Sequence, residues 1–174
     1  MNKLFQEIKK YNPDYVFLDL DECVIKSLTI DEFKELNAQD KNNLDNLSSH
    51  KLDDYYTAYE RPGLQKFLDE LFKNYKVCIW TAASKDYALS ILLEVFLKNN
   101  PNRKVEYIFW WDHCKVSDKK YDNLKALEFV EENVPEFKDK KSFFGAKHYI
   151  EFQQYQKEYI NYYIDDNSYW VPMM

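Results

Sequence analysis

The chain has 174 residues, is 45% hydrophobic and 31% charged, and carries a formal net charge of −6 at neutral pH. That composition is globular rather than disordered, and the length suits one domain with a sizeable core. The acidic balance speaks against non-specific nucleic-acid binding, which depends on neutralising phosphates. Three scattered cysteines, Cys23, Cys78 and Cys114, show no CxxC spacing. They argue against structural zinc or a disulfide framework and read as reduced thiols of an intracellular protein. The opening stretch "MNKLFQEIKKYNPD" has no long apolar region, so no signal peptide is expected. No window approaches about 18 consecutive apolar residues, so no membrane span is expected either.

In chain order, the first apolar run is "YVFLDL", rich in the residues that favour strands. It runs directly into acid: residues 17–25 read "FLDLDECVI", with Asp19 and Asp21 two positions apart. An ionised carboxylate at the end of a buried strand costs several kcal/mol unless it is paired or bound to a metal, so this acid needs an explanation. Residues 26–60 are charged and mixed, with room for a short helix and a hairpin. After Pro62, apolar residues fall at Leu64, Phe67, Leu68, Leu71 and Phe72, one face of a helix. Pro62 suits the first turn of that helix, where its missing N–H is not needed.

A second strand, "KVCIWTA", ends at Thr81. The next helix has Ser84 as N-cap and a stripe of Ala88, Ile91, Leu92, Val95 and Phe96, and it stops near "NNPN". "YIFWW" is a third strand, read with the following Asp112 as core rather than as a stacking platform. His113 beside Cys114 reads as incidental. A further helix is expected from about Tyr121 through Leu124, Leu127 and Val130 to before Pro135. Residues 136–159 show no clear period. "YINYYIDD" is a fourth strand, ending in Asp165 and Asp166. Strands alternating with helices imply βαβ units and a parallel sheet. In such sheets ligands bind at the carboxyl ends of the strands, where Asp19, Asp21, Thr81, Asp165 and Asp166 would converge.

At these residues the sequence resembles a known family. "FLDLDECVI" is similar to the first motif of the haloacid-dehalogenase (HAD) superfamily. "ERPGLQKFLDELFKNYKVCIWTAAS" resembles the small phosphatases that act on the C-terminal domain of RNA polymerase II, the NLI-interacting factor-like family. "YYIDDNS" resembles their last motif. The match is good over residues 14–98 and 160–168 and weaker between. DxD alone is a weak signal; the motifs in this order are fairly specific together. Cys23 departs from the usual Thr or Val and reads as a packing substitute.

The resemblance implies an α/β, HAD-like Rossmannoid three-layer sandwich over residues 1–174. Residues 26–60 would be a small insertion in place of a cap domain. It implies Asp19 as nucleophile through an aspartyl-phosphate, and Asp21 as general acid and then base. Alternate residues at a strand end point to one side, and crowding of the two carboxyls favours one being protonated. It also implies Mg²⁺ held by Asp19, Asp21, Asp166 and Asn167, an all-oxygen set that suits that ion, with Asp165 beside them. Thr81 and Ala82 would hold phosphate oxygens at a helix start. A lysine would offset charge; Lys120 is chosen, with Lys119 the alternative. Arg61 reads as a structural ion pair rather than as catalytic.

The expected activity is hydrolysis of phosphoserine or phosphothreonine in a protein. The alternatives are a phosphatase of metabolites, nucleotides or nucleic-acid ends, a binding protein that kept the fold without turnover, and, more weakly, a nucleic-acid-binding module. Retention of both aspartates speaks against the binding protein, and the absence of a large cap speaks for a macromolecular substrate.

Overall fold

The computed structural model of the protein describes residues 3–21, 23–114 and 133–143. Its centre is a four-stranded sheet in the order β6-β5-β1-β7, comprising β1 (Tyr15–Leu18), β5 (Lys76–Trp80), β6 (Val105–Phe109) and β7 (Ser142–Phe143). All three pairings are parallel. β1 lies between β5 and β7 and is buried at every position, as is β5 after Lys76. Covered on both faces, these strands read as continuous apolar runs rather than alternating ones. Phe17 joins the layers: its ring lies 6.0 Å from Trp80, 6.2 Å from Phe109 and 5.5 Å from Phe137.

The helix after Pro62 is present as α4 (Leu64–Asn74), burying Leu64, Phe67, Leu68 and Leu71. Its start differs from expectation. Gly63, at φ 81°, is the N-cap, and Pro62 lies in the turn before it. Only glycine takes that left-handed geometry without steric cost. The helix capped by Ser84 is α5 (Lys85–Ile91), but it passes into a π-helical segment at Leu92–Leu97. The wider winding is matched by side-chain bonds to its carbonyls: Gln65 donates to Val95 O (3.1 Å) and Arg103 to Phe96 O (3.1 Å). The expected stripe is buried at Ala88, Ile91, Val95 and Phe96. An amphipathic first helix, α1 (Lys3–Tyr11), places Ile8 in the core.

Residues 26–60 hold more than a short helix and a hairpin. β2 (Ile25–Thr29), β3 (Ser49–Lys51) and β4 (Tyr56–Glu60) form a separate antiparallel sheet in the order β2-β4-β3. Two short helices, α2 (Ile30–Glu35) and α3 (Ala38–Asp45), connect β2 to β3 and bury no residue fully. Local chemistry ends each element. Thr29 and Glu32 form a reciprocal capping box at α2, Asn37 Oδ1 accepts the Asp40 N–H at α3 (2.7 Å), and Asp53 Oδ1 accepts the Tyr55 and Tyr56 N–H groups at the entry to β4.

A partly buried polar chain ties this flap to the main body. His50 Nε2 meets Glu60 Oε2 at 2.5 Å, Gln65 donates to Glu60 Oε1 at 2.7 Å, and Arg103 donates to Gln65 Oε1 at 2.8 Å and to Asp69 Oδ1 at 2.6 Å.

Candidate active site

β1 and β5 are in parallel register, with Leu18 opposite Ile79. Their carboxyl ends therefore emerge side by side, and the chain leaves β1 at Asp19 and β5 at Thr81. The turn after β1 is tight: the N–H groups of Cys23, Val24 and Ile25 all converge on the Leu20 carbonyl at 3.1–3.2 Å. The Leu20 N–H donates to Asp19 Oδ1 at 2.9 Å. Leu20, between the two aspartates, is fully buried, whereas Asp19 and Asp21 are half-buried. Alternation thus sends the apolar residue inward and both acids to the rim.

Arg61 holds this turn from behind. It is 3% exposed, and its guanidinium donates to the Cys23 carbonyl at 2.8 Å while its own N–H donates to Val24 O. The expected ion pair is not what these contacts describe: they are hydrogen bonds to backbone carbonyls of the turn. Cys23 is itself buried, which fits packing and leaves little access for a nucleophilic thiol. None of the three cysteines is in a disulfide. Burial foremost, then Glu106, holds the Cys78 thiol far above its ordinary range, so it is inert near neutral pH.

The loop after β5 is fastened at both ends. Thr81 N–H donates to Phe109 O (3.0 Å), and Trp111 N–H donates to Ala83 O (2.9 Å). Thr81 is 1% exposed and its hydroxyl oxygen accepts the Ala83 N–H at 3.1 Å, leaving the hydroxyl hydrogen to donate. Ala82 is exposed, and its N–H has no hydrogen-bond partner among the described residues. Ser84 caps α5 as expected, accepting the Tyr87 N–H at 3.3 Å.

The "YIFWW" run forms β6, but it is a half-buried strand at the edge of the sheet among the described residues, and Trp111 beyond it is 50% exposed, not core. His113 has a structural duty: its Nδ1 accepts the Trp110 N–H at 3.0 Å, closing the turn that follows β6.

One member of the site had no sequence signal. The Tyr87 hydroxyl donates to Asp21 Oδ1 and lies 2.6 Å from Ser27 Oγ on β2. Burial, and after it the Asp21 charge, pushes this phenol well above the usual tyrosine range, so it remains a neutral donor. Lys119, Lys120, Asp165, Asp166 and Asn167, with the expected helix from Tyr121 and the "YINYYIDD" strand, lie outside the described residues. Among the described residues no group of three or more His, Cys, Asp or Glu could hold a metal ion. The candidate donors described at the strand end, the Asp19 carboxylate and the Asp21 carboxylate and carbonyl, are all oxygens. That chemistry fits a hard cation such as Mg²⁺ and does not suit a soft one.

The described part of the chain is thus an α/β protein with a central parallel sheet, a small antiparallel flap and paired aspartates at the carboxyl end of its central strand. Residues 15–142 match the NLI interacting factor-like phosphatase family, and the chain belongs to that family. It is 40% identical over 116 residues to the CTD phosphatase-like protein 355R of Invertebrate iridescent virus 6, covering 67% of this chain and 63% of the relative. The 355R protein of Invertebrate iridescent virus 3 is 39% identical over 124 residues, covering 66% and 64%. The chain therefore spans less than two thirds of the length of these curated relatives. Among solved structures it is similar to the fission yeast RNA polymerase II CTD phosphatase Fcp1, at 17% identity and a TM-score of 0.47 over 74% of this chain and 36% of that one. A second Fcp1 structure gives 17% identity and a TM-score of 0.44 over 63% and 33%.

Proposed function

We propose that the protein is a Mg²⁺-dependent phosphomonoester hydrolase that works through an aspartyl-phosphate on Asp19, with phosphoserine or phosphothreonine in a protein as its substrate. The observation that carries this reading is the pair Asp19 and Asp21 at the rim of β1, immediately beside the Thr81–Ala82 turn at the end of β5. Membership of a phosphatase family and the names of the viral relatives support it. The reading treats the whole chain as one phosphatase domain with residues 26–60 as its flap, working inside the cell.

In the first half-reaction an Asp19 carboxylate oxygen attacks phosphorus. The bond from phosphorus to the ester oxygen breaks, and that oxygen leaves with the electron pair and takes a proton from Asp21. In the second, water attacks the same phosphorus and gives a proton to Asp21. The bond to Asp19 breaks, restoring its carboxylate and releasing phosphate. The exposed Ala82 N–H and the Thr81 hydroxyl hydrogen are the described donors for the phosphoryl oxygens, joined by Lys120. The residues that would hold Mg²⁺ are Asp19, the Asp21 carbonyl, and Asp166 or Asn167. When bound, the ion offsets the repulsion between the Asp19 carboxylate and the phosphoryl oxygens.

The test is hydrolysis of phosphopeptides against nucleotides and sugar phosphates, with and without Mg²⁺. Chelator should stop turnover and Mg²⁺ restore it, and full activity in excess chelator would refute the metal assignment. Asp19→Asn should lower p-nitrophenyl phosphate turnover by at least about 10³-fold with the fold intact, since it keeps the shape and removes the attacking charge. A nucleotide or sugar phosphate that outruns every peptide would move the substrate to small molecules.

A further inference from the structure

We propose that Tyr87, backed by Ser27, is a positioning residue that holds the Asp21 carboxyl in the orientation from which it meets the leaving-group oxygen. The inference rests on the reading of Asp21 as proton donor given above.

A tyrosine hydroxyl has one proton, and that of Tyr87 is committed to Asp21 Oδ1. While Tyr87 donates to Asp21, the contact with Ser27 Oγ, at 2.6 Å, runs the other way, with the serine O–H donating to the tyrosine oxygen. The result is a one-directional chain from Ser27 through Tyr87 to Asp21. It is built from three elements: β2 of the flap, the first turn of α5, and the turn after β1. Each is fixed independently. Ser84 caps the turn that presents Tyr87, Trp111 pins the preceding loop at Ala83, and the convergence on the Leu20 carbonyl sets Asp21.

With Oδ1 held by Tyr87, Oδ2 presents the carboxyl proton to the ester oxygen. As the ester oxygen departs it takes that proton, and Asp21 becomes a carboxylate with the Tyr87 bond already in place. Hydrogen bonds to a charged acceptor are roughly twice as strong as those to a neutral one. The Tyr87 bond therefore strengthens during the reaction, and only such an interaction accelerates the chemical step. The same bond orients Oδ2 for the water in the second half-reaction.

Leaving groups separate this role from simple packing. The ratio kcat/KM reports the steps through transfer to Asp19. It should be compared for a phosphoserine peptide, whose alkoxide needs a proton, and for p-nitrophenyl phosphate, whose phenolate needs little. Tyr87→Phe keeps the ring and removes the hydroxyl. It should lower kcat/KM on the peptide by about 10- to 100-fold, the range for losing one hydrogen bond to a developing charge, and by less than about 3-fold on the aryl ester. Ser27→Ala should act in the same direction with a smaller loss, and Ser27→Thr should recover most of it.

Equal losses on both substrates, or no loss on the peptide, overturn the proposal. Asp21→Asn serves as the reference. If it is selective for the peptide while Tyr87→Phe is not, Tyr87 has no part and the donor role of Asp21 stands. If Asp21→Asn is itself unselective, the donor reading falls and this inference falls with it.

Discussion

Arg61 shows how much one buried side chain can govern at the residue scale. Its guanidinium holds the Cys23 carbonyl and its backbone holds Val24, so it braces the turn that carries both aspartates. Removing a partner from a buried acceptor costs about 1–3 kcal/mol, and the lost packing adds to that. Arg61→Ala should therefore lower the unfolding free energy in urea by about 2–4 kcal/mol and reduce turnover, since the loop loses its brace. Arg61→Lys should recover only part of either, because an ammonium cannot reproduce the planar fork. Asp19, Asp21 and Thr81 were readable because each ends an apolar run, a signal confined to a few neighbouring positions. Tyr87 was not, because its meaning lies in a contact across 66 positions. Nothing in "KDYALS" distinguishes that tyrosine from an ordinary one in an amphipathic helix.

Among the elements, the most local signals translated best. Helical spacing predicted α4, and its apolar face is the buried one. Its first residue was misplaced because a proline signal and a glycine signal stood side by side, and the left-handed turn at Gly63 decided the matter. Gly63→Ala should destabilise the protein by about 1–2 kcal/mol, the penalty for a Cβ in that conformation, as read from the urea midpoint at unchanged slope. An unchanged midpoint would mean that the turn is not used. The flap was only half legible: β3 has three residues and α2 and α3 bury none fully, so neither period nor hydrophobic contrast marks them. The π segment was invisible because its stripe is the same one that an α-helix would show. The difference lies in the backbone winding at Leu92–Leu97, where Gln65 and Arg103 also bond to carbonyls. β7, two residues long, lies below any pattern.

For the molecule as a whole, burial of acidic protons sets an alkaline limit. Tyr15, Tyr59, Tyr87 and Cys78 all have values raised by burial. The folded state therefore keeps protons that the unfolded chain releases, and stability falls as pH rises past the unfolded values. The melting temperature should be nearly flat to about pH 8.5, decline as the unfolded Cys78 ionises, and drop more steeply above about pH 10 as the tyrosines follow. Cys78→Ala should flatten the first part of that decline. The flap supplies a second prediction at this scale. Replacing α2 and α3 with a short turn removes no fully buried residue and leaves the His50–Glu60 contact outside the deletion. It should cost at least about 10-fold in kcat/KM on a phosphopeptide, where remote contacts with substrate aid the reaction. It should leave p-nitrophenyl phosphate hydrolysis nearly unaltered. An equal loss on both would assign the helices to stability instead.

The sheet order also implies a sequence of events in time. β1 must find β5 from positions 15 and 76, but it must find β7 across a far longer stretch: the bond from Lys141 to Asp14 beside that pairing spans 127 positions. Each doubling of a closed loop adds only about 0.6 kcal/mol of entropic cost, a modest term on its own. The return is also unequal, since β5 offers β1 four paired positions and β7 offers two. The β1–β5 ladder should therefore nucleate first, with β7 zipping on late and detaching early. Pulse-labelling during refolding should protect the amides of residues 77–79 before those of 142–143. Native-state exchange should release the latter at a lower opening free energy. A chain assembled in this order keeps the strand that ends at Asp19 seated against β5 even while its pairing with β7 opens.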